Sequence, residues 1–110
     1  MNLLTKMQKE KDDKIRELQL LEQNLQNLLL QREIFQAELF EIQSALKELE
    51  NSGEDVFKIV GQIMIKTDKS KVKEELLDKE KILNLRVKSI ENQENSLAKK
   101  LEKFKTELIN

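Results

Sequence analysis

Residues 56–66 are Val56-Phe57-Lys58-Ile59-Val60-Gly61-Gln62-Ile63-Met64-Ile65-Lys66. This stretch is rich in β-branched residues, is centred on a single glycine, and is the one segment without a helical repeat. Strands favour β-branched side chains, and a tight turn between strands favours glycine. The stretch therefore predicts a β-hairpin over residues 56–66 with its turn near Gly61.

A hairpin of this size is only marginally stable in water and leaves both strand edges unpaired. Its apolar side chains are those of Val56, Phe57, Ile59, Val60, Ile63, Met64 and Ile65. A simple connector between two elements would need only a few polar residues, whereas an exposed apolar strip promotes aggregation. We therefore expect these seven residues to form an oligomerisation surface.

The residues before the hairpin carry a heptad repeat. Steps of three and four residues connect Leu18, Leu21, Leu25, Leu28, Arg32, Phe35, Leu39, Ile42, Leu46 and Leu49. Such a seam, with Arg32 as its one polar member, is typical of a coiled coil. Extended backwards, the repeat passes through Lys14, Lys11, Met7 and Leu4. Helix one is predicted over residues 1–52, with a weakly paired beginning and with Gly53 as the cap after its end.

A second heptad repeat follows the hairpin. Its members are Leu76, Glu80, Leu83, Val87, Ile90, Glu94, Leu97, Leu101, Phe104 and Leu108. Two of them, Glu80 and Glu94, are polar, and polar residues at such positions often fix the register or the partner at some cost in stability. Helix two is predicted over residues 69–110, with Asp68 or Ser70 available as its N-cap.

Together these segments predict a mainly α fold, a long antiparallel two-helix coiled coil with one central β-hairpin. At about 1.5 Å per residue, helix one would be roughly 70 Å long and helix two roughly 60 Å long. Since the hairpin reverses the chain, the simplest arrangement folds helix two back along helix one. Helix two is the shorter helix, so Leu3, Leu4 and Met7 are expected at or beyond its end.

Six apolar residues meet at the free ends of the two predicted helices, and we call them the tip cluster. They are Leu3, Leu4, Met7, Phe104, Leu108 and Ile109. One interpretation is an ordinary frayed helix end, and the other is a binding surface. Flexible Met and Leu side chains without a fixed partner suit a surface that accepts many apolar segments.

Composition excludes several classes of function. Charged residues make up 37% of the chain and aromatic residues 4%, while the formal net charge is only −1. Positive and negative charges are mixed along the chain, and the lysine-rich stretches at residues 69–73 and 99–105 are expected to be solvated surface, so no nucleic-acid partner is expected. The chain has no His and no Cys and no glycine-rich phosphate loop, so neither an enzyme nor a metal or cofactor site is expected. Apolar runs reach three residues at most, so the sequence predicts a cytoplasmic protein with no membrane segment.

Residues 56–67, which end the hairpin with Lys66-Thr67, resemble the corresponding segment of archaeal prefoldin beta subunits. The shared pattern is an aromatic residue and Lys, an apolar pair, Gly, and an apolar strand ending in Lys. The resemblance covers the whole chain, because the order of long helix, single hairpin and long helix is also that of the beta type, whereas the alpha type carries two hairpins.

The resemblance implies a chaperone subunit in a hexamer of two alpha-type and four beta-type chains. In that assembly the hairpins join into an oligomeric β-barrel platform, which makes the seven apolar hairpin residues the assembly surface. Unfolded client proteins are then captured at the coiled-coil tips and delivered to a group II chaperonin without nucleotide hydrolysis. The tip cluster becomes the candidate substrate-binding surface.

A second hypothesis belongs to a different class of function. The chain could be a structural coiled-coil adaptor or tether whose hairpin docks one folded partner. This hypothesis predicts a complex with a native ligand and no protection of denatured proteins. The two hypotheses therefore differ in whether the tips bind non-native chains.

Overall fold

The computed structural model describes residues 2–109 of the chain. The element order is α1 (Leu3–Glu50), β1 (Asp55–Val60), β2 (Ile63–Asp68) and α2 (Lys69–Ile109). These elements confirm the predicted mainly α fold with one central hairpin. The residues form two units, one made of residues 1–33 with 89–110 and the other of residues 34–88. No helix within residues 2–109 is both long enough and apolar enough to cross a membrane.

Burial along both helices follows the two heptad repeats. Every predicted seam residue from Leu18 to Leu49 and from Leu76 to Leu108 is at least half-buried. The most deeply buried side chains all belong to the seams, and they are Leu49, Leu83, Val87, Ile90 and Leu101. In the unit of residues 34–88, the Arg86 guanidinium also lies over the ring of Phe35, 5.7 Å from its centroid. The coiled-coil seams predicted from the sequence are confirmed.

The beginning of α1 lacks this packing, as its polar seam predicts. All side chains from Leu3 to Glu17 are exposed, and the first half-buried one is Leu18. The helix start is capped by Asn2, whose Oδ1 accepts hydrogen bonds from the backbone N–H and the hydroxyl of Thr5, both at 2.8 Å. Such a cap satisfies one of the backbone donors that a helix start leaves unpaired.

The end of α1 differs from the prediction. The helix ends at Glu50, two residues before the predicted limit, and Gly53 is not in the left-handed conformation. Instead, the Ser52 hydroxyl donates a hydrogen bond to the carbonyl of Leu49 at 2.8 Å, and the Ser52 backbone N–H reaches the same carbonyl. Because a serine side chain satisfies this carbonyl, the glycine cap predicted at residue 53 is wrong.

The junction with α2 uses a second hydrogen bond. Lys69 begins α2 directly after β2, and its ammonium donates to the carbonyl of Ser52 at 2.9 Å. Asp68, one of the two predicted N-cap candidates, therefore occupies the position before the first helical residue, whereas Ser70, the other candidate, is the second residue of α2 and is wrong as a cap. This bond therefore links the residues just after α1 to the first residue of α2, at the base of the hairpin.

The hairpin itself extends slightly beyond the predicted residues 56–66. The strands pair in antiparallel register from Asp55 with Asp68 to Val60 with Ile63, so Gly61 and Gln62 form a two-residue turn. Gly61 has a φ of 62°, and no other described residue has a positive φ. A positive φ at the first but not the second central residue identifies a type II′ turn, which matches the twist of the strands.

Replacing Gly61 with Ala is expected to lower the free energy of unfolding by about 1–2 kcal/mol, because an L-residue is strained at positive φ. An added Cβ would meet no atom within 4 Å, so the cost comes from the backbone and not from a clash. Chemical denaturation followed by circular dichroism measures this loss in the free energy of unfolding. Gly53→Ala is the matched control, since Gly53 is equally uncrowded but has no positive φ. Equal effects of the two substitutions would contradict the assignment of the turn.

Candidate binding surfaces

The hairpin exposes nearly all of its apolar side chains. Val56 is half-buried, whereas the exposed fractions of the other six range from 47% for Ile65 to 70% for Ile59. Side chains of successive residues point to opposite faces of a strand. The cross-strand pair Ile59 and Met64 therefore lies on one face, and the pair Val60 and Ile63 lies on the other. Both faces are apolar near the turn, and the exposure of these four side chains shows that the described part of the chain covers neither face.

Two lysines of the hairpin form ion pairs. The Lys58 ammonium lies 3.1 Å from Glu75 Oε2 on α2, and the Lys66 ammonium lies 3.3 Å from Asp55 Oδ1 on the neighbouring strand. The Lys58 contact links β1 to the first part of α2. The second contact places a positive charge close to Asp55, which is directly opposite Asp68 in the register. Like charges in such a position repel each other, and Lys66 offsets that repulsion.

The Lys58 contact also affects the ionisation of Glu75. The hydrogen bond from the Lys58 ammonium, followed by its positive charge, holds the pKa of the Glu75 carboxyl below its ordinary value of 4.5, and the charges of Lys71 and Lys79 add to this. Because the folded-state pKa is lowered, the pair stabilises the fold above the unfolded-state pKa of Glu75. That stabilisation is lost as the pH falls through the folded-state value.

Substituting Lys58 with Met is expected to raise the pKa of Glu75 back towards its ordinary value, because both the hydrogen bond and the charge are removed. Titration of the Glu75 side-chain carbon by nuclear magnetic resonance measures the change. Lys66→Met serves as the control, since Lys66 pairs with Asp55 instead. A Glu75 titration that is identical in the Lys58 variant and the unmodified chain would show that the contact is absent in solution.

The tip cluster is exposed on α1 and partly packed on α2. The exposed fractions are 72% for Leu3, 75% for Leu4 and 85% for Ile109, and Met7 is exposed as well. Phe104 and Leu108 are half-buried, because they are also the last members of the α2 seam. The tip cluster thus contains four freely accessible side chains and two that anchor the helix end.

Only part of the tip cluster is brought together. Met7, Leu108 and Ile109 line one shallow depression with Glu10, Lys11, Lys14 and Glu107. Leu4 lines a separate groove formed by α1 alone, which includes Thr5 and Gln8. Because Leu3 is not part of the depression either, the first turn of α1 continues past the point where α2 contributes side chains. This agrees with the expectation that these leucines lie at or beyond the end of helix two.

Sequence reasoning missed two features. The first is that Arg32 and Glu94, the charged members of the two seams, contact each other: Arg32 Nε lies 3.1 Å from Glu94 Oε1. The second is a set of exposed apolar side chains outside the seams and outside both candidate surfaces. These are Ile15, Leu20, Leu30, Ile34, Phe40, Leu77, Ile82 and Leu85. A search for apolar residues at heptad positions other than the seam would have found the second set.

Comparisons with known proteins agree on one family. The family model described as "Prefoldin subunit" matches residues 4–110. A relative named prefoldin subunit beta from Sulfurisphaera tokodaii is 41% identical over 87 residues, which cover 77% of this chain and 70% of the relative. One of the same name from Saccharolobus islandicus is 34% identical over 105 residues, which cover 94% of this chain and 83% of the relative.

A solved structure shows the same architecture. The crystal structure of the prefoldin beta subunit from Thermococcus strain KS-1 superimposes with a TM-score of 0.83 at 32% sequence identity. The superposition covers 90% of this chain and 89% of that one. The order of helix, single hairpin and helix is therefore shared along nearly the whole length. The chain belongs to the prefoldin subunit family, a family of chaperone subunits, and resembles its archaeal beta members.

Proposed function

We propose that this chain is the beta-type subunit of an ATP-independent holdase that binds unfolded polypeptides and delivers them to a group II chaperonin in the cytoplasm. Its hairpin joins those of other beta subunits and of a prefoldin alpha-type subunit in a hexamer of two alpha and four beta chains. Its tip cluster contacts the client. Assembly and client binding thus use two different surfaces of the chain.

The observation that carries the proposal is the uncovered hairpin. Burying an apolar side chain of this size stabilises a structure by roughly 1.5–3 kcal/mol relative to leaving it in water. Six such side chains are exposed on two strands with unpaired outer edges. Strands from neighbouring chains would satisfy both the edges and the apolar faces, as in a closed barrel. This supports Val56, Phe57, Ile59, Val60, Ile63, Met64 and Ile65 as assembly residues.

The exposed part of the tip cluster supports client binding. Non-native chains expose short apolar segments of many different shapes, and unbranched or flexible side chains adapt to them. Leu3, Leu4, Met7 and Ile109 provide such side chains without a deep pocket. Contacts of this kind are weak one at a time, and several arms acting on one client would raise the overall affinity. A hexamer would thus hold a client firmly although the binding surface on each arm is shallow.

The test uses the full chain with an alpha-type prefoldin subunit. Native mass spectrometry should show a hexamer when both are present, and the mixture should suppress aggregation of a denatured protein in the absence of ATP. Transfer is tested by adding a group II chaperonin and following release of the client. A complex that assembles but gives no protection would favour the adaptor hypothesis, in which the hairpin docks one folded partner.

A further inference from the structure

We infer that the ion pair between Arg32 and Glu94 is a positioning pair that selects the register of α1 against α2 and thereby determines which residues of α1 remain uncovered at the tip. Both residues lie in the unit that contains residues 1–33 and 89–110, as does the tip cluster. The register assignment stands on geometry alone. Its consequence for client binding rests on the function proposed above.

The charge pair lies between the two apolar seams. Arg32 and Glu94 replace apolar residues in the two seams, and their side chains are 31% and 13% exposed. The contacting atoms, Arg32 Nε and Glu94 Oε1, are fully buried and lie 3.1 Å apart, although the N–H is not aligned for a hydrogen bond with that oxygen. A buried charge without a partner is strongly unfavourable. Each residue therefore depends on the other.

Another register would separate the two charges. Heptad seams repeat every seven residues, so leucine-rich helices can pair about equally well after a shift of one heptad. In one such shift Arg32 would meet Val87 and Glu94 would meet Leu25, leaving two charges among apolar side chains. The opposite shift would place Arg32 at Leu101. The hairpin and the bond from Lys69 to Ser52 join the two helices in the other unit. Along residues 1–33 and 89–110, only the observed register pairs the two charges, whereas the leucines by themselves distinguish the registers poorly.

A second contact reports the same register. The Lys105 ammonium lies 3.8 Å from Glu22 Oε1, and both side chains are about half exposed. From the central pair, Glu22 is ten residues towards the start of α1 and Lys105 is eleven residues towards the end of α2. The two helices therefore run antiparallel with one consistent alignment. An exposed ion pair of this kind contributes little to stability, so it is consistent with the register but does not determine it.

The register also sets how far α2 covers α1 at the tip. Leu18 lies two heptads before Arg32 on α1, and Leu108 lies two heptads after Glu94 on α2. Leu18 is the first half-buried residue of α1, and Leu108 is the last of α2. A shift of one heptad would either cover Met7 and its neighbours or expose Leu18. The charge pair thus determines the length of the uncovered segment.

The test measures the register directly with nitroxide labels. The chain has no natural cysteine, so Glu22→Cys and Lys105→Cys give two unique labelling sites. The labelled full-length chain is diluted into excess unlabelled chain with its alpha-type partner, so that only distances within one chain contribute. One heptad corresponds to a displacement of about 10 Å along the helix. Electron paramagnetic resonance then separates the native register from a shifted one.

Four variants decide the inference. In the double variant Arg32→Leu with Glu94→Leu, a second distance population should appear, with a change in the ratio of registers of about tenfold or more. Arg32→Glu alone should also lose the single native distance, and the exchanged pair Arg32→Glu with Glu94→Arg should restore it. Glu80→Leu removes the other acidic seam residue of α2 and should leave the distance unchanged. A single native distance in the double-leucine variant would overturn the inference.

Aggregation suppression, measured on the same samples, separates this inference from the proposed function. A shifted register with reduced protection, restored in the exchanged pair, supports both. A shifted register with unchanged protection supports the positioning role and contradicts client binding by the tip cluster, whereas increased protection, as expected when the shift uncovers more of α1, supports both. An unshifted register contradicts the positioning role whatever the protection measured.

Discussion

Replacing Ile59 and Met64 together with Thr is expected to abolish the proposed hexamer. These two residues are a cross-strand pair on one face of the hairpin, and they are 70% and 65% exposed in the isolated chain. Burying both in a neighbouring subunit would contribute about 4 kcal/mol per interface, which corresponds to roughly a thousandfold in the association constant. Threonine retains a preference for strands, so the hairpin itself should still form. Native mass spectrometry with an alpha-type subunit measures the loss.

The control for this variant is Phe40→Ser. Phe40 is as exposed as Ile59, at 71%, but it lies on α1 and outside both candidate surfaces. It therefore tests whether removing any exposed apolar side chain is enough to disrupt assembly. Helical content should be unchanged in both variants, because neither alters a seam residue. A hexamer that survives the Ile59 and Met64 substitutions would remove the hairpin face from the assembly surface.

The second large effect is expected at the tip. Changing Leu3, Leu4 and Met7 together to Ser should raise the concentration needed for half-suppression of aggregation by roughly tenfold, because each arm loses apolar contact area and several arms act together. The three side chains are exposed, so their loss should cost the fold little. Light scattering of a denatured protein without ATP measures protection, and native mass spectrometry verifies that the assembly is intact.

Leu20→Ser with Leu30→Ser provides the matched control. Both leucines are 58% exposed, lie on α1 and belong to the same unit as the tip cluster, but they are not part of that cluster. Protection should therefore be preserved in this control. If the control loses protection as strongly as the tip variant, general surface hydrophobicity is responsible. If neither loses it, client binding takes place elsewhere.

Most of the fold follows from repeating patterns in the sequence. The heptad steps identified every seam residue that is buried or half-buried from Leu18 to Leu49, and the β-branched cluster around Gly61 identified the hairpin. These features are predictable because side-chain periodicity reflects which face is covered. The helix end was harder to predict. Gly53 looked like a left-handed cap, but Ser52 satisfies the Leu49 carbonyl instead, and sequence alone does not decide between the two.

The candidate surfaces were only partly predictable. The sequence indicated which residues are apolar and near the helix ends, but it could not show that Leu108 and Ile109 share a depression with Met7 while Leu4 does not. It also placed Arg32 and Glu94 in separate seams without linking them. That link depends on the alignment of two helices, which is a property of tertiary structure. Contacts between distant segments were therefore the information that the sequence lacked.

The cap formed by Asn2 has a consequence for the proposed binding of clients at the tip. A helical segment without neighbours is barely stable in water, and its first turn would ordinarily unwind much of the time. By holding the amide and hydroxyl of Thr5, Asn2 keeps that turn wound, so Leu3 and Met7 remain one turn apart on the same side of the helix. Binding partners that are already ordered lose less conformational freedom on association. The Asn2 side chain therefore orders the first turn of α1 before an unfolded polypeptide binds, so binding itself does not have to order it.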